Sequence, residues 1–373
     1  MAVIGVPITL VSGFLGAGKT TLINEILQKT EIPSDEIAII VNEFGEVGID
    51  HQLLIQSEEK IYQLNNGCIC CNLRSDLAQA LMAIIQYFEE TGRTLQQVII
   101  ETTGIADPAP IIQTLTLSPA LVNAFYIDSV LTVVDCINYD FILQQNHEVY
   151  QQISYADRFI LSKTQDLDEA RIHQIIQKLH DINPLADIQY FNLTEGYDPK
   201  EFFNLNKFHA LVEPQEIQDV HADDCDCSKC HPHDEHCDCH KCHHHEEDCD
   251  CHECQHHLHH EEHAHEHHHQ HDGFMSMVLS SDTVVDEALF MQWLDWLLMT
   301  FNGQLYRYKG LINIKGHDLM IAIQGVNVAY QFDMTAYSTT EYSTQFVLIG
   351  KELKPDLIQM SFDELIEMSQ MNH

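Results

Sequence analysis

The chain is predicted to fold as an α/β domain with a mainly parallel sheet, followed by a Cys/His-rich disordered linker and a small α+β C-terminal domain. Three observations carry this. Across residues 1–212, short runs that are apolar on both faces alternate with helical patterns, as in a parallel sheet covered on both sides. Residues 213–272 hold nine of the 13 cysteines and 19 of the 26 histidines, yet almost no large apolar side chain apart from Leu258. Across 273–373, strand-like runs follow one another closely around one strong helical pattern.

Taken in order, Pro7–Ser12 is the first buried strand, and a helix over Lys19–Lys29 follows with Leu22, Ile23, Ile26 and Leu27 on one stripe. Glu36–Asn42, Gln97–Glu101, Val130–Asp135 and Arg158–Ser162 are further buried strands, and Ile61–Leu64 is a short one. Helical spacing marks Asp76–Phe88 and Glu169–Leu179. The linker cannot offset the entropy of ordering by burial, so it is expected to be disordered without a ligand. Beyond it, Ser276–Ser280, Gln304–Ile314, Leu319–Gln324 and Thr344–Ile349 read as strands, and Asp286–Leu298 as an amphipathic helix carrying Trp293 and Trp296. No catalytic constellation stands out there, so this part reads as a docking or lid domain.

Charge and hydropathy exclude several functions. Acidic residues number 57 against 18 basic, a net charge of −39, which repels a nucleic-acid backbone. No run of ~18 apolar residues is present, so no membrane span is expected. The first residues lack a basic stretch and a small-residue cleavage site, so they are not read as a signal peptide. A cytoplasmic location and reduced cysteines follow as expectations.

The first motif that carries chemistry is Gly13-Phe-Leu-Gly16-Ala17-Gly18-Lys19-Thr20-Thr21, between a strand and a helix. Glycines let backbone N–H groups curl around an anion, and the helix that begins at Lys19 points its positive end at phosphates. Lys19 is expected to reach the β and γ oxygens of a nucleoside triphosphate, and the Thr20 hydroxyl to hold Mg²⁺. Glu101-Thr-Thr-Gly104 closes a strand elsewhere in the sheet. Glu101 can reach the magnesium shell or position the attacking water, while Gly104 lets its loop approach the γ-phosphate.

Asn66-Gly-Cys68-Ile-Cys70-Cys71 lies between a short strand and a helix. Three thiols within four positions can converge on one ion, and a helix N-terminus lowers thiol pKa. Three thiolates leave one tetrahedral position open, for which Glu43 is a candidate. A redox pair, or three buried small hydrophobes, are the competing readings.

GFLGAGKTTL, VNEFGEVGID, NNGCICC, ETTGIADP and a His-rich linker ahead of a small C-terminal domain together resemble the CobW-type metallochaperone GTPases, many of which handle zinc. The resemblance implies a P-loop GTPase domain followed by an α+β domain. It further implies GTP as the nucleotide, and a transported metal at Cys68, Cys70 and Cys71 whose affinity follows nucleotide state. The family's guanine-reading NKxD stands here as Ser162-Lys163-Thr164-Gln165. Gln165 offers one neutral carbonyl where a carboxylate would accept two hydrogen bonds, so guanine selectivity should be weaker. Asp166 is adjacent and could substitute if the loop shifts by one residue, and the Lys163 stem can still stack on the base.

One feature sets the chain apart from that family. Cys225-Asp-Cys227-Ser-Lys-Cys230, Cys237-Asp-Cys239-His-Lys-Cys242 and Cys249-Asp-Cys251-His-Glu-Cys254 recur at an interval of 12 residues. Nine thiols suffice for one bridged cluster, or for three Cys₃ sites completed by histidines such as His233, His245 and His256. Thiolate with imidazole suits Zn²⁺ or Cu(I), and the imidazole excess favours Zn²⁺. The tract reads as a loading arm that raises local metal concentration near the Cys68 site. The leading expectation is therefore a GTP-hydrolysing zinc chaperone that serves an apo-metalloprotein client. A metal buffer with a regulatory nucleotide domain, and an insertase for cobalt, nickel or copper, are the alternatives. A homodimer is the candidate assembly.

Overall fold

The computed structural model describes residues 5–41, 60–63, 73–193, 196–208 and 273–371. The first part is a seven-stranded sheet: β1 (Val6–Gly13), β2 (Ile37–Val41), β3 (Lys60–Gln63), β4 (Gln97–Glu101), β5 (Phe125–Asp135), β6 (Arg158–Ser162) and β7 (Asp187–Phe191), in the order β3-β2-β4-β1-β5-β6-β7. Every pairing in it is parallel. The period-2 alternation of strand side chains sorts the core into two layers. Ile8, Leu10, Ala38, Ile40, Val98 and Ile100 face one way. Val11, Ile37, Ile39, Val41 and Ile99 face the other.

Among the described residues six helices cover these faces: α1 (Lys19–Lys29), α2 (Leu73–Thr91), α3 (Ala109–Leu117), α4 (Tyr139–Gln145), α5 (His147–Tyr155) and α6 (Glu169–Ile182). Leu22, Ile23 and Ile26 of α1 close the second layer, while Leu77, Leu81, Ile84 and Phe88 of α2 pack on the first. The start of α6 is set by Asp168, whose carboxylate accepts the Arg171 N–H at 2.7 Å, an N-cap that satisfies one orphan donor.

The second sheet is antiparallel: β8 (Phe274–Ser281), β9 (Leu305–Ile312), β10 (Leu319–Val326), β11 (Ala329–Ser338) and β12 (Thr344–Lys351), in the order β11-β10-β9-β12-β8. Helices α7 (Glu287–Thr300) and α8 (Pro355–Met371) bury Phe290, Trp293, Leu297, Ile358 and Phe362 against Leu279, Tyr308, Phe346 and Leu348 of that sheet. Phe274, Tyr306 and Val326 instead join the core of the first domain, with Phe274 stacked on Tyr150 at 4.6 Å between ring centroids. Among the described residues no helix is long and apolar enough to cross a membrane.

The α/β core, the parallel sheet and the C-terminal strands agree with the sequence reading. Element ends differ: β5 begins at Phe125 rather than Val130, and α2 at Leu73 rather than Asp76. Glu43, the trio Cys68, Cys70 and Cys71, and all nine tract cysteines lie outside the described residues.

Candidate functional site: a phosphate loop beside paired oxygen donors

The C-terminal ends of the parallel strands form the site. β1 ends at Gly13 with φ of 131°, and a Cβ there would stand 2.3 Å from the Val133 carbonyl oxygen, so only glycine lets the loop leave beside β5. The loop then turns into α1 through Gly18, which sits in the left-handed region at φ 104° and provides no side-chain cap. The first N–H groups of α1 thus remain for an anion. Lys19 curls over the loop, its ammonium donating to Gly13 O at 2.9 Å and Phe14 O at 3.2 Å. Thr21 is exposed on the first turn of α1.

Glu101 ends β4, two strands' width from β2's outer neighbour and directly beside β1. Its Oε1 accepts the Thr20 hydroxyl at 2.8 Å, although the two residues are 81 apart in sequence. Glu101 is buried, so this contact joins a carboxylate and a hydroxyl where water has little access. Immediately after it, the Thr102 N–H donates to Val11 O at 3.0 Å, which pins the loop to β1. At Gly104 a Cβ would lie 2.4 Å from Leu15 N and 2.7 Å from Leu15 Cα, so the loop after β4 presses directly on the phosphate loop. Asp107, further along, accepts the Ala109 N–H at 2.8 Å just ahead of α3; burial pushes its pKa up.

The third contribution comes from the end of β6. The Ser162 hydroxyl donates to Ala17 O at 2.8 Å and to Val134 O at 2.9 Å, tying β6 to the glycine loop. Lys163 has φ of 58°, and its ammonium reaches Gly16 O at 2.8 Å and Asp135 Oδ2 at 2.7 Å. Thr164 is buried, whereas Gln165 and Asp166 are exposed in the turn that follows.

Two residues that no motif singled out join this cluster. Asp135 ends β5; burial alone would raise its pKa, but hydrogen bonds from Lys163 and from the Asn138 amide and backbone outweigh it and hold the carboxyl below its usual range. Gln152 on α5 donates to Gly104 O at 3.2 Å and Ala106 O at 3.1 Å, anchoring the loop after Glu101. An acid closing the apolar run VLTVVD, as Glu101 closes QVIIE, was the available signal for Asp135. Gln152 had none. Cys136, beside Asp135, is buried, and burial pushes its thiol up to about 12, so it behaves as a core residue rather than a ligand.

The strands also set where two further segments begin. Val41 pairs with Glu101 on one side and with Gln63 on the other. Gln63, Val41 and Glu101 therefore stand in one row at the ends of three adjacent strands.

A model of the CobW/HypB/UreG nucleotide-binding domain matches residues 7–189, and one of the cobalamin synthesis protein cobW C-terminal domain matches residues 274–366. The zinc chaperone YjiA of Escherichia coli is 29% identical over 96% of this chain and 98% of its own length. The zinc-regulated GTPase metalloprotein activator 1 of Schizosaccharomyces pombe is 29% identical over 93% of this chain and 83% of its own. Crystallised Zn(II)-bound YjiA GTPase superposes with a TM-score of 0.67 at 26% identity, covering 97% of this chain and 99% of that one. With both models matched in tandem and the relatives aligned nearly end to end, the chain belongs to the CobW family of P-loop GTPases.

Proposed function

We propose that the protein is a GTP-hydrolysing zinc chaperone in which the state of the nucleotide sets the affinity of a thiolate site and so governs transfer of zinc to an apo-metalloprotein. The single observation that carries this is the register of β3, β2 and β4. Adjacent strands lie about 4.8 Å apart, so the ends of β2 and β3 stand within roughly 10 Å of Glu101 in the sheet. Glu43 comes two residues after Val41, and Cys68, Cys70 and Cys71 come five to eight after Gln63. Helix α2 starts two residues past Cys71, and the positive end of a helix favours the thiolate form. The zinc of the YjiA and activator relatives' names supports zinc as the cargo.

In this reading the backbone N–H groups of the Gly13–Gly18 loop and the Lys19 ammonium hold the phosphates of GTP. Thr20 Oγ1 and Glu101 Oε1, hard oxygen donors 2.8 Å apart, suit Mg²⁺ and would hold it. Bound there, Mg²⁺ would neutralise charge on the β and γ oxygens. Glu101 is also positioned to orient an attacking water, while the loop through Gly104 follows the γ-phosphate. Ser162 and Lys163 brace the floor of the site, Lys163 lies beside the base, and Gln165 reads it through one neutral carbonyl. The nine cysteines from Cys225 to Cys254 act as a loading arm.

The test is GTP turnover with and without one equivalent of Zn²⁺, in the native chain and in Cys70→Ala. The native enzyme is expected to change rate with zinc, and Cys70→Ala to lose that response while keeping basal turnover. A rate indifferent to metal, with Cys70→Ala fully active, would leave a metal buffer as the better description.

A further inference from the structure

Outside the nucleotide site, α7 and α8 of the C-terminal domain frame an open groove of about 340 Å³, lined chiefly by Leu289, Trp293, Trp296, Met360, Leu365 and Met368. Its base is well defined. The Trp293 indole N–H donates to Ser361 Oγ at 3.0 Å, and the ring packs edge-on against Phe346 and Phe362. Its mouth is apolar and open: Met360 is 62% exposed and Met368 52%. Unbranched methionines adapt to varied side chains, as they do on peptide-binding surfaces.

The charge that lines the groove is acidic. Glu364 is the charged residue of its lining, Glu367 follows one turn later on α8, and both are exposed. Neither helix contains a lysine or arginine. We propose that this groove docks a basic amphipathic helix of a partner protein. The apolar stripe of that helix would lie between α7 and α8, and its lysines and arginines would face the surrounding carboxylates. Charge argues against the two occupants closest to hand. A second copy of a chain with net charge −39 would bring like charge to the groove. So would residues 219–272 of the same chain, which hold 16 acidic residues. The proposal does not depend on the nucleotide or zinc reading, since none of the residues assigned to those sites lines the groove.

The chain has two tryptophans, and both line the groove, so intrinsic tryptophan emission reports this place alone. The full-length protein is titrated with a synthetic helical peptide of leucine and lysine that lacks tryptophan, and in parallel with a matched peptide of leucine and glutamate. The basic peptide is expected to shift the emission saturably, with affinity falling as salt rises. The acidic peptide is expected to leave the emission unchanged. Reversing charge with Glu364→Lys and Glu367→Lys together should weaken the basic peptide by about tenfold or more. Both residues are exposed, and the salt dependence of the native chain tests the charge term independently should the variant misfold. No emission shift, an equal response to both peptides, or undiminished affinity in the charge-reversed variant would overturn the proposal. Emission that changes with protein concentration alone would assign the groove to a second copy instead.

Discussion

At the scale of single residues, Gly104 and Gln165 are the positions where the smallest chemical change has the clearest consequence. A methyl group at 104 meets backbone atoms of Leu15 well inside contact distance, and neither loop can yield without moving the phosphate site. Gly104→Ala is therefore expected to lower GTP turnover by about 10²-fold, the scale of loss that follows a misplacement of ~1 Å. Steady-state hydrolysis at saturating GTP measures this, and an unchanged rate would mean the loop is not part of the reacting geometry. At position 165, restoring a carboxylate with Gln165→Asp should sharpen guanine over adenine by about tenfold, because hydrogen bonds to charged acceptors contribute about 1.5–3 kcal/mol against ~1 for neutral ones. Competition of ATP against GTP reads that ratio directly. The residues of the site were legible in sequence where they sit in contiguous motifs, as Gly13 to Thr21 and Glu101 to Gly104 do. Gln152 was not, because its role comes from elements that meet only in three dimensions, and Asp135 offered only the acid that closes VLTVVD.

At the scale of elements, β9 brings two cations into a buried contact with the first domain. Arg307 pairs with Asp157 and donates to Tyr155 O at 3.1 Å, while Lys309 lies 3.5 Å from Asp157 and donates to Lys207 O at 3.0 Å. Burial pushes the Lys309 ammonium down to about 8 from an ordinary 10.5, against the pull of Asp157. With the folded value the lower one, the unfolded chain holds the proton more tightly between those two pH values, so stability rises with pH across that window. The slope is at most about 1.4 kcal/mol per pH unit. Lys309→Met should abolish that rise without loss near neutrality, since Arg307 still satisfies Asp157. Arg307→Met should cost about 3–5 kcal/mol, the penalty for breaking a buried pair. Urea unfolding followed across the window tests both; a slope retained in Lys309→Met would contradict the assignment. The central strands were readable because both faces are apolar, as in β2 and β4, where every residue is buried. The edge strands β7 and β11 were not, although the edge strands β3 and β8 were. β7 is only partly buried over most of its length, and β11 exposes Asp333 and Met334, so neither presents a clean alternating or continuous apolar run. Helix α8 went unnamed because its stripe of Ile358, Phe362 and Leu365 is interrupted by exposed methionines, which the groove on that face makes intelligible.

At the scale of the molecule, α5 lies between the two halves. Gln152 holds the loop after Glu101, and three residues later the Tyr155 hydroxyl donates to Asn327 Oδ1 of the C-terminal domain at 3.0 Å. The Gly104 loop is thus joined through α5 to the second sheet. The proposed function requires that nucleotide and metal be energetically linked across the ends of β2, β3 and β4. Zinc affinity at Cys68, Cys70 and Cys71 is to be measured by competition with a chelator, in a chain whose nine tract cysteines are replaced by serine. Nucleotide-free protein, the GDP complex and the complex with a non-hydrolysable GTP analogue are compared. The account predicts affinities that differ by about tenfold or more between the GTP-like and GDP forms, a coupling of about 1.4 kcal/mol. Equal affinity in all three would contradict it.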